Sequence, residues 1–344
     1  MWTFGCPHFR YPKIRMKIRL KLIFLIALIS VLIALLVSLA VFVGHASEEK
    51  VPAQSPGPSA SQSAQPRDIA YISRNLNDMN EYEAVMRIKK NFENNANIRF
   101  RILDSSGILP LQLDYIESLK GNPGELLIID PIDWKNVSEK VNQAGLNAIY
   151  SGVQVPANQG VSIFFSDAYA AQLTAQQVFS MIYPGSGICI IGSEIDDSLY
   201  QSTVGEIQKV SRANGSNNKL YTYFTNNIRM AEFKSLMPEL LHSQAVVILD
   251  PVNAAAILQY LKLNEFTGDS VVVSQDENML SKILDGTLNA VVYRDKDEYA
   301  RLISQTSLSI LNEAGTPSQI ECYQGLLNIY NITQYMQTKK NAAY

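Results

Sequence analysis

Short runs of uninterrupted apolar residues, each followed by a polar turn and then a helical pattern, constrain this chain more than any other feature. Leu126-Leu127-Ile128-Ile129 and Ala245-Val246-Val247-Ile248-Leu249 are the clearest. A strand that is apolar on both faces has to be covered on both, which is the condition of a parallel sheet between helical layers. Strand-like runs read at Ile69–Ser73, Ile98–Leu103, Glu125–Asp130, Asn147–Tyr150, Val161–Phe165, Ile188–Gly192, Leu220–Phe224, Ala245–Leu249, Val271–Ser274 and Ala290–Tyr293. Helical patterns such as Ala168–Ile182, Leu199–Ala213 and Ala254–Leu263 lie between them. The strands are too many for one compact sheet, so two α/β lobes are expected, with ligands binding beyond the carboxyl ends of the strands.

Ahead of this pattern, Leu22–Val43 is a 22-residue run without a charge, preceded by six basic residues (Arg10, Lys13, Arg15, Lys17, Arg19, Lys21) and no acidic ones. At about 1.5 Å rise per residue, a helix of this length crosses a hydrocarbon core of about 30 Å. The basic flank keeps that end in the cytoplasm, so residues from His45 onward are expected outside. A cleaved secretory signal is the competing reading, since Gly44-His45-Ala46 offers a small-x-small site. The run exceeds the roughly 7–15 residues of a signal's apolar region, and a retained single-pass anchor in the cell membrane is the expectation. Ser47–Arg67, rich in Pro, Ala, Ser and Gln, reads as a flexible stalk.

Charge and cysteine usage narrow the function. Beyond residue 21 the chain has 23 basic and 32 acidic residues, a net charge of −9, which argues against nucleic acid or anionic lipid as a partner. Cys189 sits inside an apolar strand run, where cysteine serves as a small hydrophobe. The three histidines (His8, His45 and His242) are scattered, no C-x-x-C pair occurs, and no nucleophile has an identifiable base. Neither an enzyme nor a cofactor or metal is expected. The acidic group Glu194–Ser198 fits no calcium loop and reads as a helix N-terminus gathering carboxylates at the positive end of the dipole.

Strand ends are consistently polar: Ser73-Arg74-Asn75, Asp130-Pro131-Ile132-Asp133, Asp250-Pro251-Val252-Asn253, Gln275-Asp276-Glu277 and Arg294-Asp295. Singly, each suits a helix cap or an Asp-Pro helix start. Together they suggest a polar pocket for a hydroxyl-rich ligand.

From Asp68 to about Gln334 the chain resembles the type I periplasmic binding proteins, specifically the ribose/galactose-type sugar-binding group. Ile69-Ala70-Tyr71-Ile72-Ser73 is similar to that family's opening strand, and Ile128–Asp133 to its third-strand turn. Phe165-Ser166-Asp167 resembles the crossover into the second lobe, Val271–Asp276 a strand with an acidic ligand contact at its end, and Ile329–Ile332 the closing motif. The resemblance implies two Rossmann-like lobes of parallel sheet with flanking helices, the periplasmic binding protein type I architecture, and the apolar run places one transmembrane helix ahead of them. Hydropathy and composition thus divide the first part of the chain into a cytoplasmic segment (1–21), the transmembrane helix (22–43) and the stalk (44–67), and the resemblance divides the rest into an N-terminal lobe (68–165 plus 295–322) and a C-terminal lobe (166–294 plus 323–337). Crossovers are expected near Ser166, Arg294 and Tyr323.

The ligand residues that the resemblance implies are Arg74, Asn80, Tyr82 (a stacking ring), Asp130, Asn227, Asp250, Gln275, Asp276 and Arg294. Ser151-Gly152 stand where the family often has Asp-Arg, and Gln201–Gly205 give no equivalent of its second-lobe arginine, so the two-pronged grip of an arginine on sugar oxygens is missing from that place. The implied role is an extracytoplasmic solute-binding protein, membrane-tethered, that presents a small, sugar-like ligand to the permease of an ABC importer. The alternative is a ligand-sensing co-receptor for a membrane histidine kinase.

Overall fold

The computed structural model describes residues 66–342, apart from 94, 123, 195–196, 226–239 and 241. The expected transmembrane helix and all but the last two residues of the expected stalk lie outside the described residues. Among the described residues, no helix is long and apolar enough to cross a membrane.

The chain builds two α/β lobes. In the first, β1 (Arg67–Ser73), α1 (Met79–Phe92), β2 (Ile98–Asp104), α2 (Leu109–Leu119), β3 (Leu126–Ile129), α3 (Trp134–Ala144), β4 (Asn147–Ser151) and β5 (Val161–Phe164) alternate. The chain then crosses to the second lobe. This contains α4 (Asp167–Met181), β6 (Gly187–Gly192), α5 (Ser198–Ala213), β7 (Lys219–Phe224), β8 (Ser243–Ile248), α6 (Ala254–Leu263), β9 (Asp269–Ser274), α7 (Asn278–Leu284) and β10 (Ala290–Arg294). A second crossing returns α8 (Lys296–Leu311) and β11 (Gln319–Glu321) to the first lobe. A third carries β12 (Gln324–Asn328) and α9 (Ile332–Ala342) back to the second.

The first sheet runs β2-β1-β3-β4-β5-β11 with every pairing parallel. The second runs β7-β6-β8-β9-β10-β12, parallel except for β12 against β10. Neither β11 nor β12 stands among the strands expected from the sequence. Both faces of each sheet carry an apolar cluster, and all four residues of β3 are at most 1 % exposed. Truncating an isoleucine there to alanine removes core contacts worth about 2–5 kcal/mol.

Local signals set the helix boundaries. Asp133 caps α3 by accepting from Lys135 N (2.9 Å) and Asn136 N (3.3 Å), and Gly145 at φ 68° ends it. The Asp-Pro pairs do not start helices: α3 begins after Asp133 and α6 after Asn253, each three residues beyond the expected aspartate. Cys189 and Cys322 are buried in the second and first lobes, and burial pushes the Cys322 thiol up to about 12.

Candidate functional site

Parallel strands deliver their carboxyl ends to one edge of each sheet, and those edges face each other across a cavity of about 350 Å³. From the first lobe it is lined by residues that follow β1, β3 and β4 (Arg74, Asp130 and Gly152) and by the start of α1. From the second come Leu249 and Pro251 after β8, Ser274 and Gln275 at the end of β9, Asp197 capping α5, and Asp167 opening α4. Phe165 and Arg294 close it at the crossings.

The first-lobe wall is an interlocked acid–base group. Buried Glu81 accepts from the backbone N–H of Arg74 (2.6 Å) and of Asn75 (2.9 Å). Arg74 Nη2 lies 3.7 Å from Asp130 Oδ2, and its Nε lies 4.0 Å from Glu81. Burial pushes the Asp130 carboxyl up to about 7, with Arg74 opposing the shift and Glu81 and Asp78 adding to it. Burial raises Glu81 as well, and the two backbone donors and Arg74 pull it back. Beneath them Ser151 Oγ lies 2.5 Å from Tyr299 Oη and 3.3 Å from Tyr71 Oη, and Tyr299 stacks on Phe165 with centroids 5.4 Å apart. Burial drives both tyrosine hydroxyls well above the usual phenol range, so they stay neutral hydrogen-bonding groups.

Arg294 ties the crossings together. Its Nη2 donates to Asp167 Oδ1 (2.5 Å), its Nε donates to Gln324 Oε1 (3.1 Å), and its guanidinium carbon lies 5.6 Å from the Phe165 ring centre. Gln324 in turn donates to the Ser166 carbonyl at 2.6 Å. One residue from each of the three crossings is thus held in a single hydrogen-bonded chain.

Of the residues expected at a ligand site, the cleft brings together Arg74, Asn80, Asp130, Gln275 and Arg294. Asn80 Oδ1 accepts from Lys296 Nζ at 3.2 Å; that buried ammonium also meets Glu83 at 2.6 Å. Three expectations are corrected. Tyr82 is 44 % exposed and outside the cleft, because one residue on α1 is a turn of about 100° and the inward positions fall on Glu81 and Ala84. Asp250 is buried with its carboxylate consumed by Val252 N (2.9 Å), Asn253 N (3.2 Å), Asn253 Nδ2 (2.6 Å) and Thr225 Oγ1. Asp276 accepts from the Asn278 backbone and side chain, both at 2.9 Å, and does not line the cleft. Asn227 lies outside the described residues.

Sequence reasoning missed Glu81, Asp167 and Asp197 as lining residues, although Asp167 and Asp197 sit inside stretches that it singled out and Glu81 lies between the expected Asn80 and Tyr82. Tyr299 had no signal, since α8 meets Ser151 only through tertiary packing. The cleft aromatics Tyr71, Phe165 and Tyr299 form its floor and are engaged with one another and with Ser151.

The described residues thus form two α/β lobes joined by three crossings around an interlobe cavity. No family model matches the chain, and no curated protein matches it. Among solved structures, an ABC transporter solute-binding protein of Bacillus halodurans with bound myo-inositol superposes with a TM-score of 0.68 at 14 % identity, over 80 % of this chain and 99 % of that one. The periplasmic component of the arabinose ABC transporter of Shewanella sp. ANA-3, bound to arabinofuranose, gives 0.65 at 15 % identity over 80 % and 97 %. A periplasmic ribose ABC transporter protein of Conexibacter woesei gives 0.67 at 14 % over 81 % and 97 %. At these identities the likeness shows the fold, that of the type I periplasmic binding proteins.

Proposed function

We propose that this chain is an extracytoplasmic solute-binding protein that captures a small, hydroxyl-rich ligand between its lobes and presents it to the permease of an ABC importer. The interlobe cavity, walled by strand ends of both lobes, carries this reading. The solved structures of the same fold, with inositol and arabinose bound, support the ligand class. Arg74, Asn80, Asp130, Gln275 and Arg294 are the ligand contacts in this reading. The lobes comprise 68–165 with 295–322 and 166–294 with 323–337. Ligand favours the closed form to the extent that it binds that form better than the open one. Binding, without catalysis, is the whole of the chemistry.

Leu22–Val43 anchors the domain to the membrane, and the stalk gives it an r.m.s. reach of about 25 Å, which restricts it to partners in its own membrane. That tether favours a second role, co-receptor for a membrane histidine kinase. The two roles are separated by which membrane protein copurifies, a permease or a kinase. Thermal unfolding of the full-length protein with inositol, arabinose, ribose and related polyols tests the binding reading. A true ligand at 100 times its dissociation constant stabilises by about 2.7 kcal/mol. A panel that leaves the transition unmoved overturns the reading.

A further inference from the structure

Three buried hydroxyls at the floor of the cleft carry a donor that they do not use among themselves. Tyr71, Ser151 and Tyr299 are 1 %, 1 % and 7 % exposed, and all three line the cavity. Ser151 Oγ stands between the phenols, 2.5 Å from Tyr299 Oη and 3.3 Å from Tyr71 Oη. Each hydroxyl has one proton to give, so these two contacts consume two of the three. Among the described residues the group makes no other hydrogen bond. One O–H is therefore left over, in surroundings where an unmade hydrogen bond is costly. Burial keeps both phenols neutral, so that proton is not lost to ionisation.

Gly152 marks a space that this donor can reach. The residue is exposed and lines the cavity. A Cβ built on it would have two neighbours within 4 Å, Tyr299 Oη and Asp130 Oδ1, each at 3.7 Å. At φ 78° the position favours glycine, which keeps the space clear. A ligand atom there meets one hydroxyl and one carboxyl oxygen. The Asp130 carboxyl is already shared with Glu81 and Arg74, but each carboxyl oxygen has two lone pairs, and Oδ1 can take a further donor. The space thus offers a donor and an acceptor side by side. A neutral hydroxyl answers both. An ammonium has no lone pair for Tyr299, a carboxylate has no proton for Asp130, and a methylene leaves the two unpaired.

We propose, resting on the solute-binding reading above, that Tyr299, Asp130 and Gly152 form a subsite for one neutral hydroxyl of the ligand. Tyr299 Oη donates to the oxygen of that hydroxyl, and its proton goes to Asp130 Oδ1. Read along the donors, the order is Tyr71 to Ser151 to Tyr299, which puts the spare O–H at the cavity. The subsite selects for a hydroxyl at one position of the ligand and rejects the analogue that lacks it, because the analogue leaves two polar groups of the cleft floor unpaired.

Calorimetry on the full-length protein in detergent tests this with inositol, arabinose, ribose and their single-deoxy analogues. For a polyol that binds, removing one particular hydroxyl is expected to weaken binding roughly tenfold or more. Tyr299→Phe should weaken the parent polyol to a similar extent and the matching deoxy analogue far less, so that the penalty for losing that hydroxyl shrinks in the variant. Should Tyr299→Phe fail to fold, a crystal structure of the unmodified protein with the polyol bound decides: one ligand hydroxyl is expected within about 3.2 Å of both Tyr299 Oη and Asp130 Oδ1. A hydroxyl penalty of equal size in parent and variant, or a bound polyol that leaves the space over Gly152 empty, would overturn this inference and leave the solute-binding reading standing. Failure of every probe to bind would overturn both.

Discussion

At Asp130 burial opposes the charge and Arg74 favours it, and burial is the larger effect. The folded carboxyl holds its proton up to about 7, against an unfolded value of 3.8. Between those values the native state binds more protons than the unfolded one, so this group's contribution to stability falls as pH rises through the window. Asp130→Asn is therefore expected to raise the melting temperature of the ligand-free protein at pH 8, by the equivalent of about 1–2 kcal/mol, and to do little at pH 4. Melting curves at the two pH values check this, and equal shifts at both would count against it. Arg74, Asp130, Gln275 and Arg294 were legible as cleft residues because they follow parallel strands. Asp250 and Asp276 occupy equivalent places in the sequence, yet their carboxylates turn back onto their own loops. Strand-end position identifies which residues reach the cleft rim, and the competition between backbone and cavity for each side chain is decided only by folding.

Among the elements, β3 and α6 were readable because their burial is uniform or strictly periodic: β3 is Leu-Leu-Ile-Ile, and Ala254–Leu263 has the same bounds in sequence and structure. β11 (Gln-Ile-Glu) and β12 (Gln-Gly-Leu-Leu-Asn) carry no such run, and they become strands through the edges that accept them, β5 and β10. Both strands flank the third crossing, where Gln324 joins the Arg294–Asp167 group. Removing the guanidinium would leave Asp167 and Gln324 without their shared donor. Arg294→Met is expected to cost about 1–3 kcal/mol, below the full cost of breaking a buried pair because Asp167 is partly exposed. Urea denaturation reads this as a lower midpoint at unchanged slope, and an unmoved midpoint would show the clasp to be dispensable.

In the whole molecule, a second set of contacts ties the lobes beside the second crossing. Arg87 on α1 reaches Glu277 of the second lobe (3.5 Å) and Asp297 on α8. Lys339 on α9 reaches Glu277 (3.1 Å), Asp297 (3.0 Å) and Asp295 (3.5 Å), while Tyr335 Oη donates to Asp295 Oδ2 at 2.7 Å. Exposed pairs of this kind contribute about 0.2–1 kcal/mol each and weaken with salt. They are small singly, but they bias one arrangement of the lobes over another. The double variant Arg87→Gln, Lys339→Gln is expected to give a larger radius of gyration than the parent at low ionic strength and to lose the parent's response to molar salt. Small-angle scattering of both proteins checks this, and superimposable profiles would refute it.

The interleaving of the lobes also sets an order on biogenesis. The outer strand of the first sheet, β11, follows the whole of the second lobe up to β10 along the chain. A polypeptide emerging from its amino end can assemble β1 to β5 early, but the edge of β5 stays unpaired until residues 319–321 appear. Synthesis, and any translocation that follows it, must pass residues 319–328 before the sheets of both lobes are complete. A naked β5 edge is meanwhile a template for pairing with other chains. Residues 319–328 thus seal both sheets, so neither lobe closes ahead of them.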